Sequence, residues 1–198
     1  MNEKVKQNQP DFLEHLNSFR DKFDKFYGQK YFIDNIPEIL NESIRYINST
    51  GGKRIRPFLV YECASLFDVK FEESIDAAIA IEMVHTYSLI HDDLPAMDDD
   101  DMRRGNETLH KKYNEAIAIL SGDALLTDSF VLLVERYKNI DINICIELIK
   151  LLSKSAGSAG MVGGQILDLF SNENNNKSVE LMNEMKTGAL ISCATCFG

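Results

Sequence analysis

The chain has 198 residues, 44% of them hydrophobic, which is long and apolar enough to bury the core of one ordinary domain. Its net charge of −10 excludes a typical nucleic-acid-binding surface, because neutralising phosphates needs clustered cations. No uninterrupted apolar run reaches the ~18 residues that a membrane span needs, and the charged N-terminus lacks the apolar core of a secretory signal. We therefore expect a single soluble, cytoplasmic domain over residues 1–198, with no membrane span.

Apolar residues recur at spacings of three and four along most of the chain, which predicts an all-α fold without visible strands. The pattern predicts helices over Asp11–Tyr27, Phe32–Ser49, Glu72–His91, Asn114–Tyr137 and Ile142–Ala156. Gly51 and Gly52 end the second of these helices, Pro95 ends the third, and Pro57 suits the first turn of a further helix.

The last third of the chain alternates between small, polar and apolar segments. Ser155–Gln165 is rich in small residues, which permits close helix packing or the close approach of backbone to a ligand. Ser171–Lys177 is typical of a polar loop, and Val179–Phe197 predicts a final helix.

An acidic run, HDDLPAMDDDD, starts at His91 and places six aspartates within ten residues. Carboxylates this close repel one another unless water or cations surround them. Mg²⁺ takes a few carboxylates and completes its shell with water and substrate phosphates, so we interpret the run as a magnesium site for a phosphorylated ligand, with Mn²⁺ as an alternative ion. A solvated acidic loop is the competing interpretation, whereas an EF-hand is excluded by the spacing. The metal site is favoured because the run begins on a polar helix stripe, Glu82, His85 and Asp92, and is followed by two arginines.

A basic motif, GGKRIRP, covers residues 51–57. Backbone amides at the two glycines, together with Lys53 and Arg56, can bind diphosphate oxygens. The spacing is not that of a nucleotide P-loop, so ATP is not implied. Taken alone, the motif is better explained as a helix cap with surface cations, and only the nearby aspartates favour an anion site.

Five segments in series resemble one family. GGKRIRP, HTYSLIHDDLPAMDDDDMRRGNETLH, SGDALL, GMVGGQILDL and MKTGALI are similar, in order and approximate spacing, to motifs of the short-chain trans-isoprenyl diphosphate synthases, above all the bacterial farnesyl type. The resemblance covers about Gly51 to Leu190. It implies an all-α isoprenoid synthase-type bundle around a central cavity and a homodimer. It also implies magnesium-dependent condensation of isopentenyl diphosphate with dimethylallyl or geranyl diphosphate to farnesyl diphosphate, through an allylic carbocation.

The resemblance also implies roles for individual residues. Those matching the metal site are Asp92 and Asp98, with Asp93 in support. The residue matching the allylic diphosphate contact is Arg103, and those matching the isopentenyl head-group pocket are Gly52, Lys53, Arg56, His85 and Arg104. The remaining matches line the allylic site, where a lysine and oxygen dipoles face the developing cation: Gln165, Lys186 and Thr187. The catalytic candidates are Asp92, Asp98, Arg103, Lys186 and Thr187.

Tyr87 stands five positions before Asp92, where the family often carries an aromatic residue that limits product length. We group Ser88 with it as a chain-length position. An ordinary core tyrosine explains Tyr87 equally well. His85 is similarly open to interpretation as a core histidine, although the stripe that it shares with Asp92 favours the site.

The sequence departs from the family after Asp141, because Asp168 is the only aspartate that follows. The family's second aspartate-rich motif has no counterpart, so we expect the bundle to be incomplete at its C-terminus. These 198 residues would then be the N-terminal part of a longer synthase, inactive alone and with an exposed apolar face. Two alternatives remain: a non-catalytic subunit that binds a prenyl diphosphate or a partner synthase, and an HD-type metal phosphohydrolase. The second is suggested by His91-Asp92, with His85 or His110 available as a further ligand, but leaves the GGKR, RRG and KTG segments unexplained.

Overall fold

The computed structural model describes residues 11–30, 36–170 and 176–198, and within them the chain is almost entirely helical. The all-α prediction is confirmed. The helices are α1 (Phe12–Lys30), α2 (Glu38–Ser49), α3 (Ile55–Ser65), α4 (Phe71–Asp92), α5 (Leu109–Lys112), α6 (Glu115–Tyr137), α7 (Ile142–Ala156), α8 (Met161–Phe170), α9 (Asn176–Asn183) and α10 (Ala189–Phe197), with a π-helical segment at Glu184–Gly188.

Side-chain caps set the starts of α6 and α7. The Asn114 side chain accepts a hydrogen bond from the Ile117 amide, and the Asp141 side chain accepts one from the Asn143 amide. The predicted bounds of α7 are therefore correct, and α6 starts one residue late because Asn114 caps it. α2 begins after Pro37, and residues 32–35 of its predicted span lie outside the described residues.

A short β-hairpin follows the acidic run and contradicts the expectation that no strands are present. β1 (Met102–Arg103) pairs antiparallel with β2 (Asn106–Glu107), and Met102 lies opposite Glu107. The two turn residues, Arg104 and Gly105, have positive φ angles of 56° and 81°, as a two-residue type I′ turn requires. Strands of two residues are too short to show the alternating pattern by which sequence reveals a strand.

α4 is the central helix of the fold. It packs against α3, α6 and α10, and its middle residues Ile79, Ile81, Met83 and Val84 are completely or almost completely buried. A helix buried on all sides carries apolar residues around its whole circumference. The polar residues at the C-terminal end of α4 therefore emerge from the centre of the molecule, next to the acidic loop.

α6 packs along α4, yet much of its surface is exposed. Ile119, Leu120, Val131 and Val134 are exposed on α6, and further large apolar residues are exposed on α7 and α8. By length and composition alone, α6 is also apolar enough to cross a membrane. Those two properties do not distinguish a membrane span from a helix that packs in a core, so the absence of a membrane span stays a prediction.

The last predicted helix, Val179–Phe197, is interrupted in the structure. α9 passes into the π-helical segment Glu184–Gly188 before α10 begins. Segments with π-helical hydrogen bonding are rare and often lie at functional sites. This one contains two candidate site residues, Lys186 and Thr187. Most of the predicted loop before α9, residues 171–175, lies outside the described residues.

Candidate functional site

A cavity of about 390 Å³ lies between α4, α8 and the π-helical segment. Nine of the residues singled out in the sequence line it: Arg56, His85, Tyr87, Ser88, His91, Asp92, Gln165, Lys186 and Thr187. The rest of its wall is largely apolar, with Met97, Val162, Ile166 and Leu169 among the lining residues. Residues from four separate sequence motifs are thereby brought to one cavity, while Gly52, Lys53, Asp93, Asp98, Arg103 and Arg104 lie outside its lining.

Asp92 is the centre of a polar cluster in this cavity. Gln165 Nε2 donates a hydrogen bond to Asp92 Oδ1 over 2.5 Å, and Lys186 Nζ lies 3.9 Å from Asp92 Oδ2. Lys186 Nζ also donates to Asp168 Oδ2 at 2.5 Å. Sequence reasoning did not assign Asp168 to the site. Its position three residues after Gln165, on the same face of α8, is the signal that could have found it.

Gly164 allows the π-helical segment to approach α8. A Cβ atom at Gly164 would lie 2.1 Å from the Lys186 backbone nitrogen and 2.5 Å from its Cα atom. No side chain fits that space, because the nearest atoms are backbone rather than a movable side-chain end. The small-residue run predicted to permit close packing does so here, and the close packing places Lys186 beside Asp168 and Asp92.

The aspartates of the acidic run fall into two groups, those that pair with a cation and those that do not. Arg103 Nε donates to Asp93 Oδ1 at 2.6 Å, and Lys111 Nζ lies 2.7 Å from Asp101 Oδ1. Arg103 also lies 3.7 Å from Asp100. Of the six aspartates in the run, Asp98 and Asp99 have no cation within ion-pair distance among the described residues. The solvated acidic loop therefore explains only part of the run.

The loop turns back so that Asp98 approaches Asp92. The Asp98 amide donates to the Asp92 carbonyl oxygen over 2.9 Å. Burial raises the pKa of the Asp92 carboxyl, and the charge of Asp98 adds to the rise, while Lys186 and Arg103 oppose it. A metal ion bound here in addition to Lys186 would reduce the repulsion between the Asp92 and Asp98 carboxylates.

These carboxylates fit a metal ion that is shared with a ligand. Within residues 11–30, 36–170 and 176–198, no three His, Cys, Asp or Glu side chains converge as a metal-binding group. The chain offers the carboxylates of Asp92 and Asp98, and Asp93 Oδ2 is buried without a hydrogen-bond partner. Mg²⁺ is commonly held by one or two carboxylates plus water and substrate phosphates. The donor set suits Mg²⁺ completed by a diphosphate better than an ion held by the protein alone.

The basic residues form a second polar region. Arg56 and His85 line the cavity, and Arg56 Nε is buried without a hydrogen-bond partner among the described residues. Burial is the largest cause that lowers the pKa of His85 to about 4. The neighbouring cations Arg56, Arg104 and Arg54 also lower it, and Glu82 opposes them. His85 is therefore neutral at pH 7, and Arg56 is a desolvated cation with no bonded anion among the described residues.

Gly52 and Arg104 fit together at the edge of this region. Arg104 donates a hydrogen bond to the Gly51 carbonyl oxygen. A Cβ atom at Gly52 would lie 2.6 Å from Arg104 Nη1. The absence of a side chain at Gly52 thus lets the Arg104 guanidinium lie across the loop. Lys53, on the same loop, is exposed.

Arg54 lies beneath the loop rather than in the cavity. It is 4% exposed and donates to Glu82 over 2.7 Å and to Asp24 over 2.8 Å. Glu82, which the sequence places on the stripe with His85 and Asp92, is therefore used to hold α3 on α4. The sequence analysis named Arg56 and not Arg54 as an anion contact, but the pairing of Arg54 with Glu82, 28 positions away, could not be predicted from the motif.

Two histidines bear on the remaining alternatives. His91 Nε2 lies 3.0 Å from the Ile119 carbonyl oxygen, and the His91 ring contacts Tyr87 edge-on. His110 Nδ1 lies 3.2 Å from the Thr108 hydroxyl. Both rings are held by the fold, which disfavours their use as ligands in an HD-type hydrolase. Tyr87 is 7% exposed yet lines the cavity, so it has features of both a core residue and a cavity wall.

Comparisons with known proteins identify the family of the chain. Residues 37–198 match the family model described as "Polyprenyl synthetase". A farnesyl diphosphate synthase of Micrococcus luteus is 49% identical over 161 residues, which are 78% of this chain and 53% of that relative. A geranylgeranyl diphosphate synthase of Cyanophora paradoxa is 44% identical over 165 residues, or 82% of this chain and 55% of that relative.

Solved structures show the same fold. An FPP/GFPP synthase from Zymomonas mobilis superposes with a TM-score of 0.86 at 37% identity, covering 92% of this chain and 68% of that one. The fold is therefore the all-α isoprenoid synthase fold. The chain spans about half the length of the curated relatives named above. The family match over most of its residues shows that the chain belongs to the polyprenyl synthetase family.

Proposed function

We propose that the full-length protein is a magnesium-dependent prenyltransferase that condenses isopentenyl diphosphate with dimethylallyl or geranyl diphosphate to farnesyl diphosphate. The family supports the class of reaction, and the farnesyl diphosphate synthase among its relatives supports the product. One observation carries the proposal most directly. A single, largely apolar cavity is lined by Asp92 and Lys186 of one polar region and by Arg56 and His85 of the other.

Asp92 and Asp98, with Asp93 in support, are the residues that would hold magnesium. Bound there, the ion would supply positive charge where the allylic diphosphate leaves. Arg103 adds a fixed cation, which already binds Asp93. Lys186 lies between two carboxylates and can exchange Asp168 for a diphosphate oxygen as negative charge develops on the leaving group.

The isopentenyl diphosphate head group binds to the basic region in this proposal. Arg56 and Arg104 supply charge, Lys53 is exposed beside them, and neutral His85 donates a hydrogen bond without adding a charge that would oppose the arginines. Gly52 keeps Arg104 close to the loop. The buried Arg56 Nε gains its missing partner when an anion binds.

The reaction then requires only positioning and exclusion of water. The carbon–oxygen bond to the allylic diphosphate breaks, and the double bond of isopentenyl diphosphate attacks the allylic cation to form a carbon–carbon bond. A proton leaves the new cation and passes to an oxygen of the released diphosphate. The apolar wall keeps water from the cation, Thr187 and Gln165 present oxygen dipoles to it, and Tyr87 with Ser88 limits the room for the product.

A second copy of the chain is the partner that we propose for α6. Four large apolar side chains, Ile119, Leu120, Val131 and Val134, are exposed along it. Apolar side chains that follow one helix suit a self-complementary interface between two copies. The oligomeric state in solution tests this part of the proposal.

The test uses the full-length gene product with Mg²⁺, isopentenyl diphosphate and geranyl diphosphate, with products separated by chain length. We expect a fifteen-carbon product, and we expect Asp92→Asn to lower kcat/KM roughly 10³-fold because it removes charge that holds the metal and diphosphate. Asp99→Asn is the matched control, since Asp99 is an exposed aspartate of the same loop without an ion-pair partner among the described residues.

Three results would contradict the proposal. Equal losses in the two variants would show that Asp92 has no special role. A product of another length from the wild type would overturn the farnesyl assignment. Binding of geranyl diphosphate without turnover would instead favour the non-catalytic subunit.

A further inference from the structure

The ring of Tyr87 rests against a second ring. The Tyr87 and His91 ring centroids are 5.6 Å apart and their planes meet at 81°, which is an edge-to-face contact. The two residues are four positions apart on α4, so they lie on neighbouring turns of the same face. Both line the cavity. Contacts that hold the His91 ring in place therefore also hold one side of the Tyr87 ring.

α6 holds the His91 ring in place. His91 Nε2 lies 3.0 Å from the Ile119 carbonyl oxygen. Because a carbonyl oxygen can only accept, Nε2 carries a proton and donates it to this bond. Asp123 Oδ1 lies 4.0 Å from the same nitrogen. The ring thus spans from α6 to Tyr87 and forms part of the cavity wall on the way.

Gly122 provides the space for this arrangement. A Cβ atom at Gly122 would lie 2.2 Å from His91 Nε2 and 2.6 Å from Cδ2. Gly122 lies within α6, so what the position requires is space for the ring rather than an unusual backbone angle. Alanine at this position would push the ring away from α6 and break the bond to Ile119.

We propose that His91, seated on Gly122 and bound to the Ile119 carbonyl, sets the depth of the substrate cavity by fixing the ring of Tyr87. His91 is then a positioning residue that selects product length through Tyr87. Without its ring, Tyr87 can move into the vacated space and the cavity deepens. When the ring is forced off α6, it moves into the cavity and shortens it. This inference rests on the proposed function.

The experiment compares products of the full-length gene product incubated with Mg²⁺, isopentenyl diphosphate and dimethylallyl diphosphate. We expect His91→Ala to raise the ratio of twenty-carbon to fifteen-carbon product about tenfold, and Gly122→Ala to raise the ratio of ten-carbon to fifteen-carbon product by a similar factor. His91→Phe keeps a ring against Tyr87 but cannot donate to the Ile119 carbonyl oxygen, so we expect its ratio of twenty-carbon to fifteen-carbon product to lie between those of the wild type and His91→Ala. Gly28→Ala is the control, because a Cβ atom there meets nothing within 4 Å.

The outcomes separate this inference from the function on which it rests. A wild-type protein that forms no prenyl product overturns both. An active wild type whose product spectrum is unchanged in both His91→Ala and Gly122→Ala overturns the role of His91 alone. The melting temperature of each variant, compared with that of Gly28→Ala, shows whether the variant folds. If one variant fails to fold, the product spectrum of the other tests the role of His91, since the two are expected to shift product length in opposite directions.

Discussion

Arg54 and Arg56 are two residues apart in one short motif, yet they lie in differently built regions of the molecule. Arg54 is 4% exposed, and its guanidinium bonds to Glu82, to Asp24 and to the Asn48 carbonyl oxygen. Arg56 lines the cavity, and its Nε has no hydrogen-bond partner among the described residues. One arginine is satisfied by the fold, and the other has no bonded anion in the described part of the chain.

The difference shows how a single motif can provide both support and binding. The backbone at Arg54 has a positive φ of 52°, just before α3 begins, and its side chain is buried against Glu82 and Asp24. Arg56 follows within the first turn of α3 and reaches the cavity. The Arg54 ion pairs thus fix the start of α3, and that start carries the unpaired Arg56 into position.

The sharpest way to test this contrast is to remove each charge in turn. Arg54→Met leaves Glu82, which is 2% exposed, without its bonded cation, so we expect the free energy of unfolding to fall by ~3–5 kcal/mol. Arg56→Met removes a desolvated cation without a bonded anion, so we expect the free energy of unfolding to change by less than ~1 kcal/mol. Urea denaturation of the full-length gene product measures both.

For activity, we expect the opposite ranking, with the larger loss in Arg56→Met and the smaller loss in Arg54→Met. Arg56→Met should raise KM for isopentenyl diphosphate at least roughly tenfold, because an arginine–phosphate bond is lost. Under conditions where it remains folded, Arg54→Met should retain a KM closer to that of the wild type. Equal losses of stability in the two variants would show that Arg56 is also a structural residue.

The part of the cavity wall formed by α8 and the π-helical segment is held by close backbone packing, in contrast to the ion pairs that hold Arg54. Gly164→Ala would place a Cβ atom 2.1 Å from the Lys186 backbone nitrogen, so α8 and the π-helical segment must separate. We expect a loss of ~1–3 kcal/mol in the free energy of unfolding and a lower kcat, because Lys186 moves away from Asp92. Gly28→Ala, in open space on α1, controls for the added methyl group. Wild-type kcat in Gly164→Ala would show that the position of Lys186 does not depend on this contact.

Local patterns were sufficient to predict most of the helices. α7 has clear apolar spacing and a capping aspartate at Asp141, and its predicted bounds match the structure. The acidic run and the basic motif were located by composition alone. The β-hairpin at Met102–Glu107 was missed, because two residues per strand show no alternation and the signal lies only in the Arg104-Gly105 turn.

Pairings between distant residues could not be predicted from spacing. The partners Arg54 and Glu82 are 28 positions apart, and Lys186 and Asp168 are 18 apart, so no helix periodicity relates them. The backbone of the π-helical segment packs against Gly164 of another helix, and the segment's own sequence does not reveal that contact. The sequence therefore does not show which charged side chains pair with one another. Those pairings decide which residues remain available to bind a ligand.

The smallest expected effect is a change in the pKa of His85, which shares its region with Arg56. Its pKa is about 4 because burial disfavours the charged ring and Arg56, Arg104 and Arg54 repel it, against attraction by Glu82. An unfolded histidine has a pKa near ~6.5, so the unfolded chain binds the proton more readily. The contribution of His85 to stability is therefore complete above about pH 6.5 and is lost as the pH falls towards about 4, at up to ~1.4 kcal/mol per pH unit.

Arg56→Met removes one repelling cation, so it should raise the pKa of His85 and reduce this loss of stability at low pH. NMR titration of the His85 imidazole measures the pKa directly, and urea denaturation at several pH values measures the loss. His85→Gln should abolish the corresponding part of the pH dependence in the wild type. An unchanged pKa of His85 in Arg56→Met would mean that burial, Arg104 and Arg54 keep His85 neutral without Arg56, and that the charge of Arg56 does not act on the region shared with His85.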